Sequence, residues 1–322
     1  RSTTDASDAE AQRTRRAMED LIATGDGIDP RGGQLDMAKI KLAYRQAADT
    51  GNSFIQYSDQ RDVLVRPVLA KALLRLGDVN NAEKTVNALL KLAPRSAEGL
   101  CLRGQILLFK HDPAAVEWFR RAAESDQSGP EEWSWYGTAL ISAGQYERAE
   151  TMLLKALRAG YRRHNVLLSL AMLARRDNRF DQAEAYLTEL TSKGQPSLEA
   201  MAALAICQKE AGKADQAEKT LRKALTQFDS PTLYLHLGDV LDMQHRPAEA
   251  ADAYAKAADR TSMAVASFKA ARAYYALDRY GLAMKYIDRA SVLTTDPEVR
   301  QWQRKIEDAR FGPAATPAAA PP

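Results

Sequence analysis

The sequence predicts an all-α protein, a stack of antiparallel helix pairs about seven pairs long. Three observations carry this expectation. One alanine recurs at a nearly constant interval. Apolar residues keep constant offsets from it. A glycine or another turn-forming residue stands between the two halves of each interval. A period of this length decides the architecture before any local structure does.

The recurring alanine is Ala82, Ala115, Ala149, Ala183, Ala217, Ala250 and Ala283, with steps of 33 or 34 residues. Four residues later stand Val86, Phe119, Leu153, Leu187, Leu221, Tyr254 and Ile287; seven later stand Leu89, Ala122, Ala156, Leu190, Ala224, Ala257 and Ala290. Offsets of four and seven lie on one face of an α-helix, so each interval contains one helix with an apolar stripe. Twelve residues before the alanine comes a small residue: Ala70, Gly137, Ala171, Ala205, Gly238 and Ala271, with Gly104 displaced by one in a shorter repeat. That position marks a second helix in every interval, with room for its neighbour to approach to about 8–10 Å.

Between the helices the chain has to reverse. Gly77, Gly144 and Gly212 stand where the first helix ends and a positive φ is required. Asn178 suits the same left-handed position, and His111, His245 and Asp278 occupy it or its surroundings in the other repeats. Pro113 and Pro247 fall where the second helix begins, a place proline tolerates.

These offsets resemble the tetratricopeptide repeat pattern, W-x2-L-G-x2-Y followed by A-x3-F and a closing proline. Trp133, Tyr136, Gly137 and Leu140 follow its first part, as do Tyr234, Leu237, Gly238 and Leu241, and Pro94 closes its repeat. Gln127, Tyr161, Gln195 and Asp229 replace the closing proline elsewhere. The resemblance implies a right-handed superhelical solenoid over residues 63–295, because one helix pair cannot bury its own apolar faces and must stack on the next.

The flanking segments differ. Residues 1–62 read as N-terminal helices with a degenerate half repeat: 7–24 is helical with a polar start, 35–50 resembles the second helix of a repeat, and a longer helix is expected from about Ser58 into the first clear repeat. Residues 296–311 read as a capping helix with Pro297 in its first turn, its polar residues covering the last repeat. The Pro/Ala tail 312–322 has nothing to bury and reads as disordered.

Composition narrows the functional classes. With 45 basic and 42 acidic side chains the net charge is +3, which supplies no general attraction to nucleic acid or to an anionic membrane. No stretch approaches the roughly 18–20 apolar residues that span a bilayer. Cys101 and Cys207 lie in apolar helical runs far apart in sequence and read as small buried hydrophobes. His111, His164, His236 and His245 show no metal-ligand spacing. The loop 25–33 holds Asp26 and Asp29 among glycines but lacks the calcium-loop register, and reads as a turn. Arg162–Arg163 and Arg175–Arg176 read as solvated helix ends. No nucleophile elbow, phosphate-binding loop or Cys/His pair occurs, so the sequence points to no enzyme and no cofactor.

The resemblance therefore implies binding. In such superhelices the first helices line a concave groove, and projecting that geometry onto this chain selects a set of positions. They are Lys71, Cys101 and Gln105, then Trp135 and Thr138, then Leu168, Met172 and Arg175, then Ile206 and Lys209. Asp239, Asp242, Arg272 and Tyr275 complete the set. The expected groove is apolar around Met172 and Ile206 and alternates in charge toward the C-terminal end, which suits a peptide with an apolar anchor and flanking charges. Packing of the same side chains against adjacent helices is the alternative reading. A subclass of the family grips acidic C-termini with Lys and Asn on three first helices; here those positions hold Pro67 and Lys71, Leu102, and Ser134 and Trp135, so that grip is not expected.

Three settings follow: a non-enzymatic scaffold for a protein or peptide partner, the recruiting segment of a larger enzyme, or a periplasmic or membrane-anchored bacterial assembly factor for pilus, secretion or polysaccharide export. Self-association through exposed repeat ends is a further expectation. The chain starts at Arg1 rather than Met, and the location stays open: cytoplasmic or, if an N-terminal signal or anchor was removed, periplasmic or envelope.

Overall fold

A computed structural model describes residues 2–27, 34–57, 62–192 and 197–312 of the chain. The expected turn at 28–33, Ser58, Gln195 and the tail from 313 onward lie outside the described residues. All regular structure among them is helical. The chain divides into two compact units, Arg1–Val166 and Leu167–Pro322.

The first unit opens with α1 (Ser2–Gly27) and α2 (Gln34–Tyr57), followed by α3 (Arg66–Arg75), α4 (Val79–Leu92), α5 (Ala97–Phe109), α6 (Ala115–Ala123), α7 (Pro130–Ser142) and α8 (Tyr146–Arg158). Its core joins Ala11 and Met18 of α1 and Ala47 of α2 to Leu69 of α3, Val86 of α4 and Ile106 of α5. Arg15 of α1 also reaches Glu98 of α5 at 2.6 Å. The helix expected from about Ser58 does not run into the first repeat. A 3-10 turn occupies Asp62–Leu64 and α3 begins at Arg66 with Pro67 in its first turn. Proline lacks an amide donor and disfavours helical backbone in the residue before it, so a helix starts there rather than passing through.

The helix α9 (His164–Arg176) contains the division between the units. The second unit continues with α10 (Phe180–Ser192), α11 (Leu198–Glu210), α12 (Ala214–Leu225), α13 (Pro231–Met243), α14 (Pro247–Arg260), α15 (Ala264–Ala276), α16 (Tyr280–Leu293) and α17 (Pro297–Phe311). One core gathers Leu168, Ala171 and Ala174 of α9 with Leu187 of α10 and Leu204 of α11. A larger one runs from Met201 of α11 to Ile306 of α17.

The periodic positions form the seams of the pairs. Ala82, Ala149, Ala183, Ala217, Ala250 and Ala283 are fully buried, and the large residue four places later is buried in every pair. The small residue of the first helix sits against that large one. A Cβ at Gly104 would lie 2.7 Å from the Phe119 ring, and one at Gly137 2.7 Å from Leu153 Cγ. Sequence spacing thus becomes a contact between two helix axes, with no room for one further methyl group.

The turns share one geometry. Gly77, His111, Gly144, Asn178, Gly212, His245 and Asp278 all have positive φ, between 56° and 78°. The next residue's amide donates back across the helix end: Asp78 to Leu73 O at 2.9 Å, Gln145 to Leu140 O at 2.9 Å, Arg246 to Leu241 O at 3.0 Å. This satisfies a terminal carbonyl that the helix leaves open. Helix starts are equally local. Asp78, Ser96 and Ser197 accept amides of the first turn, and Pro130, Pro231, Pro247 and Pro297 stand in first turns. Pro113 lies two residues ahead of α6, in the turn.

The last helix covers its neighbours with apolar side chains rather than polar ones. Val299 and Ile306 of α17 are buried, and Trp302 packs edge-on against Phe268 and Tyr275 of α15. Its polar residues face outward, as an end helix in water requires. No described helix is long and apolar enough to cross a membrane.

Candidate protein-interaction faces

In the first unit the selected positions lie on α3, α5 and α7. Lys71 Nζ pairs with Glu131 Oε2 at 3.0 Å, joining α3 to α7. Burial works against the charge of Lys71, but Glu131 outweighs it and the pKa is raised. Cys101 is buried, not an open groove position, and burial pushes its thiol up. Gln105 is half-buried and turned onto Cys101 Sγ at 3.6 Å. Trp135 stacks on Phe119 with centroids 5.8 Å apart and planes within 5°. Thr138 is half-buried and donates to Ser134 O at 3.0 Å, the usual use of a mid-helix hydroxyl. This face keeps a partly exposed aromatic edge, but its charges are already matched.

In the second unit the face begins on α9 and α11. Leu168 is buried among neighbouring helices, so it too leaves the groove set. Met172 is 50% exposed. Ile206 is half-buried. Arg175 Nη1 forks onto Glu210 at 2.8 and 2.9 Å.

Next comes a charge lattice. Asp239 Oδ2 accepts from Lys209 at 3.3 Å, its Oδ1 accepts from Lys269, and Tyr254 OH reaches Asp239 at 2.9 Å and Asp242 at 2.8 Å. Burial disfavours the Asp239 carboxylate, yet the Lys269 bond and charge outweigh that and hold its pKa below the usual range. Burial and the two carboxylates raise the Tyr254 phenol. His236 lies beside this lattice with Nδ1 buried and unbonded among the described residues; burial and Lys209 lower its pKa.

The face ends on an aromatic platform. Tyr275 meets Trp302 at 5.5 Å and Tyr280 at 5.6 Å. Arg272 lies 5.0 Å from the Trp302 ring centre and Lys305 lies 4.3 Å from it. Cations over such rings keep their charge while part of their stem is covered.

The alternating charges expected along the groove are thus largely internal pairs. Sequence projection missed Glu210, Lys269, Tyr254 and Trp302. A signal existed for the lattice: Lys209, Asp239 and Lys269 are spaced by 30 residues, about one helical turn short of the repeat. Side chains reach back toward the N-terminus of their helix, so positions one turn out of register meet across neighbouring first helices.

Comparison with known proteins supports the same architecture. Tetratricopeptide repeat family models match residues 68–130, 137–198 and 174–237. No curated protein sequence matches the chain at a significant level. Among solved structures, the APC/C hetero-tetramer Cut9-Hcn1 aligns with a TM-score of 0.58 and 16% identity over 88% of this chain. The chain spans only 58% of that protein's length. The C-terminal part of a repeat-containing protein from Cytophaga hutchinsonii aligns with a TM-score of 0.58 and 14% identity, covering 72% of this chain and 97% of that one. PilW, a type IV pilus biogenesis factor, aligns with a TM-score of 0.54 and 21% identity, covering 61% and 92%. At such identities the likeness is one of fold. The periodic seams, the left-handed turns and the matched repeats together place this chain in the tetratricopeptide repeat family.

Proposed function

We propose that the chain is a non-enzymatic scaffold that holds a segment of a partner protein against the first helices of its second unit. A protein-interaction scaffold is what the repeat family and its structural relatives support in general. The finer reading rests on one observation: the platform of Tyr275 and Trp302 carries Arg272 and Lys305 on its rings, while Met172 stands exposed on the same series of first helices. An extended segment with an acidic group for the cations and an apolar side chain for Met172 and Ile206 fits that chemistry. Arg175, Lys209, Asp239 and Asp242 then serve mainly as the frame that spaces the helices.

The test is selection of random peptides on the purified chain, followed by titration of the enriched peptides. Acidic, apolar-anchored sequences that lose about tenfold or more in affinity with Trp302→Ala or Arg272→Gln would support the reading. Peptides that bind both variants unchanged, or a selection that enriches nothing, would sink it. The narrower settings, as a bacterial envelope assembly factor or the recruiting segment of an enzyme, rest on no side chain of this face. Fractionation of cells producing the full-length protein distinguishes them.

A further inference from the structure

Away from the groove positions, the first unit holds an open pocket of about 510 Å³, within the size range of small-molecule sites, with Arg148 and Lys155 exposed at its edge. The end of α6 and the segment after it form one wall, and α7 and α8 form the others. Two cations line it from α8, and each is held by neutral groups. Arg148 donates from Nη2 to Tyr136 OH at 2.9 Å and from Nη1 to Gln145 Oε1 at 2.7 Å. Lys155 Nζ stands 3.9 Å over the Trp133 ring.

Several other cations of the chain are placed on carboxylates instead. Lys71, Arg175 and Lys213 each reach a carboxylate. Here the single carboxylate on the cavity wall, Glu124, is engaged by Arg120. Two of the four hydroxyls on the wall, Ser128 and Tyr136, are also set as donors, while Ser125 and Thr151 give their protons to backbone carbonyls. Ser128 Oγ accepts the Trp133 indole N–H at 3.2 Å and so keeps its own proton to give. Tyr136 OH, already accepting from Arg148, is left in the same state. Trp133 therefore holds both Ser128 and Lys155, one by its ring edge and one by its face. Leu140 and Met152 supply an apolar side to the same cavity.

Donors from several elements line this one pocket, and its carboxylate is engaged by Arg120, a lining suited to an anion that accepts several bonds at once. A phosphoryl dianion has three terminal oxygens for this purpose, more than a carboxylate offers. We propose that this cavity binds a small phosphomonoester, with its phosphoryl group on Arg148, Lys155 and the Ser128 hydroxyl and its apolar body on Leu140 and Met152. The site is separate from the peptide-binding reading and stands or falls without it.

Isothermal titration of the full chain with phenyl phosphate, at constant ionic strength, tests the assignment. Saturable one-to-one binding is expected, with inorganic phosphate weaker because it lacks the apolar body. Arg148→Gln and Lys155→Gln should each weaken phenyl phosphate by about tenfold, and Ser128→Ala by about threefold, while Arg222→Gln in the second unit leaves it unchanged. Circular dichroism of each variant confirms that it is folded, and Ser128→Ala tests the site without removing a charge. Absence of saturable heat, or unchanged affinity in both α8 variants, would overturn the proposal. Benzoate binding as tightly as phenyl phosphate would overturn the phosphoryl assignment, and a phosphoserine peptide binding more tightly would overturn the small-molecule one.

Discussion

The pairs α7–α8 and α13–α14 share one frame and present different faces. Each begins with a proline in the first turn, places an aromatic residue three positions on, and seats a glycine against a large residue of the second helix. In both, the early aromatic carries a cation from the second helix: Lys155 over Trp133, and Arg260 over Tyr234 at 4.7 Å. Off the frame they part. The face of α7 carries Trp135, stacked on Phe119, whereas α13 carries Asp239 and Asp242, bonded to Tyr254 and two lysines. The second helices differ as well: α8 buries three residues and α14 seven, six of them alanine. Frame positions keep the pair, and the positions between them are free to differ, so function in such a protein has to be sought between the frame residues.

The largest expected effect tests the glycine seat. At Gly238 a side chain would run into the Tyr254 ring, whose hydroxyl is tethered to two carboxylates, while at Gly137 it would meet the more adaptable Leu153. Gly238→Val should cost about 3 kcal/mol in urea unfolding, and Gly137→Val less, because overpacking is worst where the neighbour cannot turn away. Equal losses would show that the hydroxyl tether does not stiffen the α13–α14 seam.

A smaller effect separates the two faces by pH. Because the folded pKa of Asp239 is depressed, its contribution to stability is complete above the unfolded carboxylate pKa of about 3.9 and is lost as the pH falls through the lower folded value. Asp239→Asn should therefore cost about 1–2 kcal/mol at neutral pH, after allowance for the partial exposure of its lysine partners, and flatten the acid limb of the stability curve below about pH 4. Trp135→Phe, which changes no charge, should leave the shape of that limb alone. An acid limb unchanged by Asp239→Asn would mean that the lattice adds nothing.

The turns supply the finest comparison. The reversal after α7 uses Gly144 at φ 72°, and the one after α13 uses His245 at φ 58°. Gly144→Ala should destabilise by about 1 kcal/mol, because a Cβ is strained there even though the space is open. His245→Gly should stabilise by about 0.5 kcal/mol, the relief of that strain being partly offset by a freer unfolded chain. Thermal melts of the two variants read the signs; a destabilised His245→Gly would show that the imidazole contributes contacts that outweigh its backbone.

Much of this was legible in the residues themselves. The alanine period, the small seat twelve residues before it and the left-handed turn all depend on local geometry, and His111, His245 and Asp278 proved to be turn residues like the glycines they replace. The site was less legible. Cys101 and Leu168 were projected onto the same groove as Trp135 and Met172 but are buried, because accessibility depends on which neighbouring helix leans over each position. The start of α3 is hard to read in the residues because a helix-compatible run hides the break that Pro67 imposes.

By itself the sequence determined the helix pairs, their turns and the residues of each seam, since these follow from offsets within one repeat. Tertiary structure alone decided the Trp302 platform and the meeting of Arg148, Lys155 and Ser128 at one pocket. The physical reason is range. A seam joins residues a fixed number of positions apart, whereas an aromatic platform or a pocket forms only where side chains from separate helices meet. That meeting is set by how the helices pack, not by any one interval along the chain.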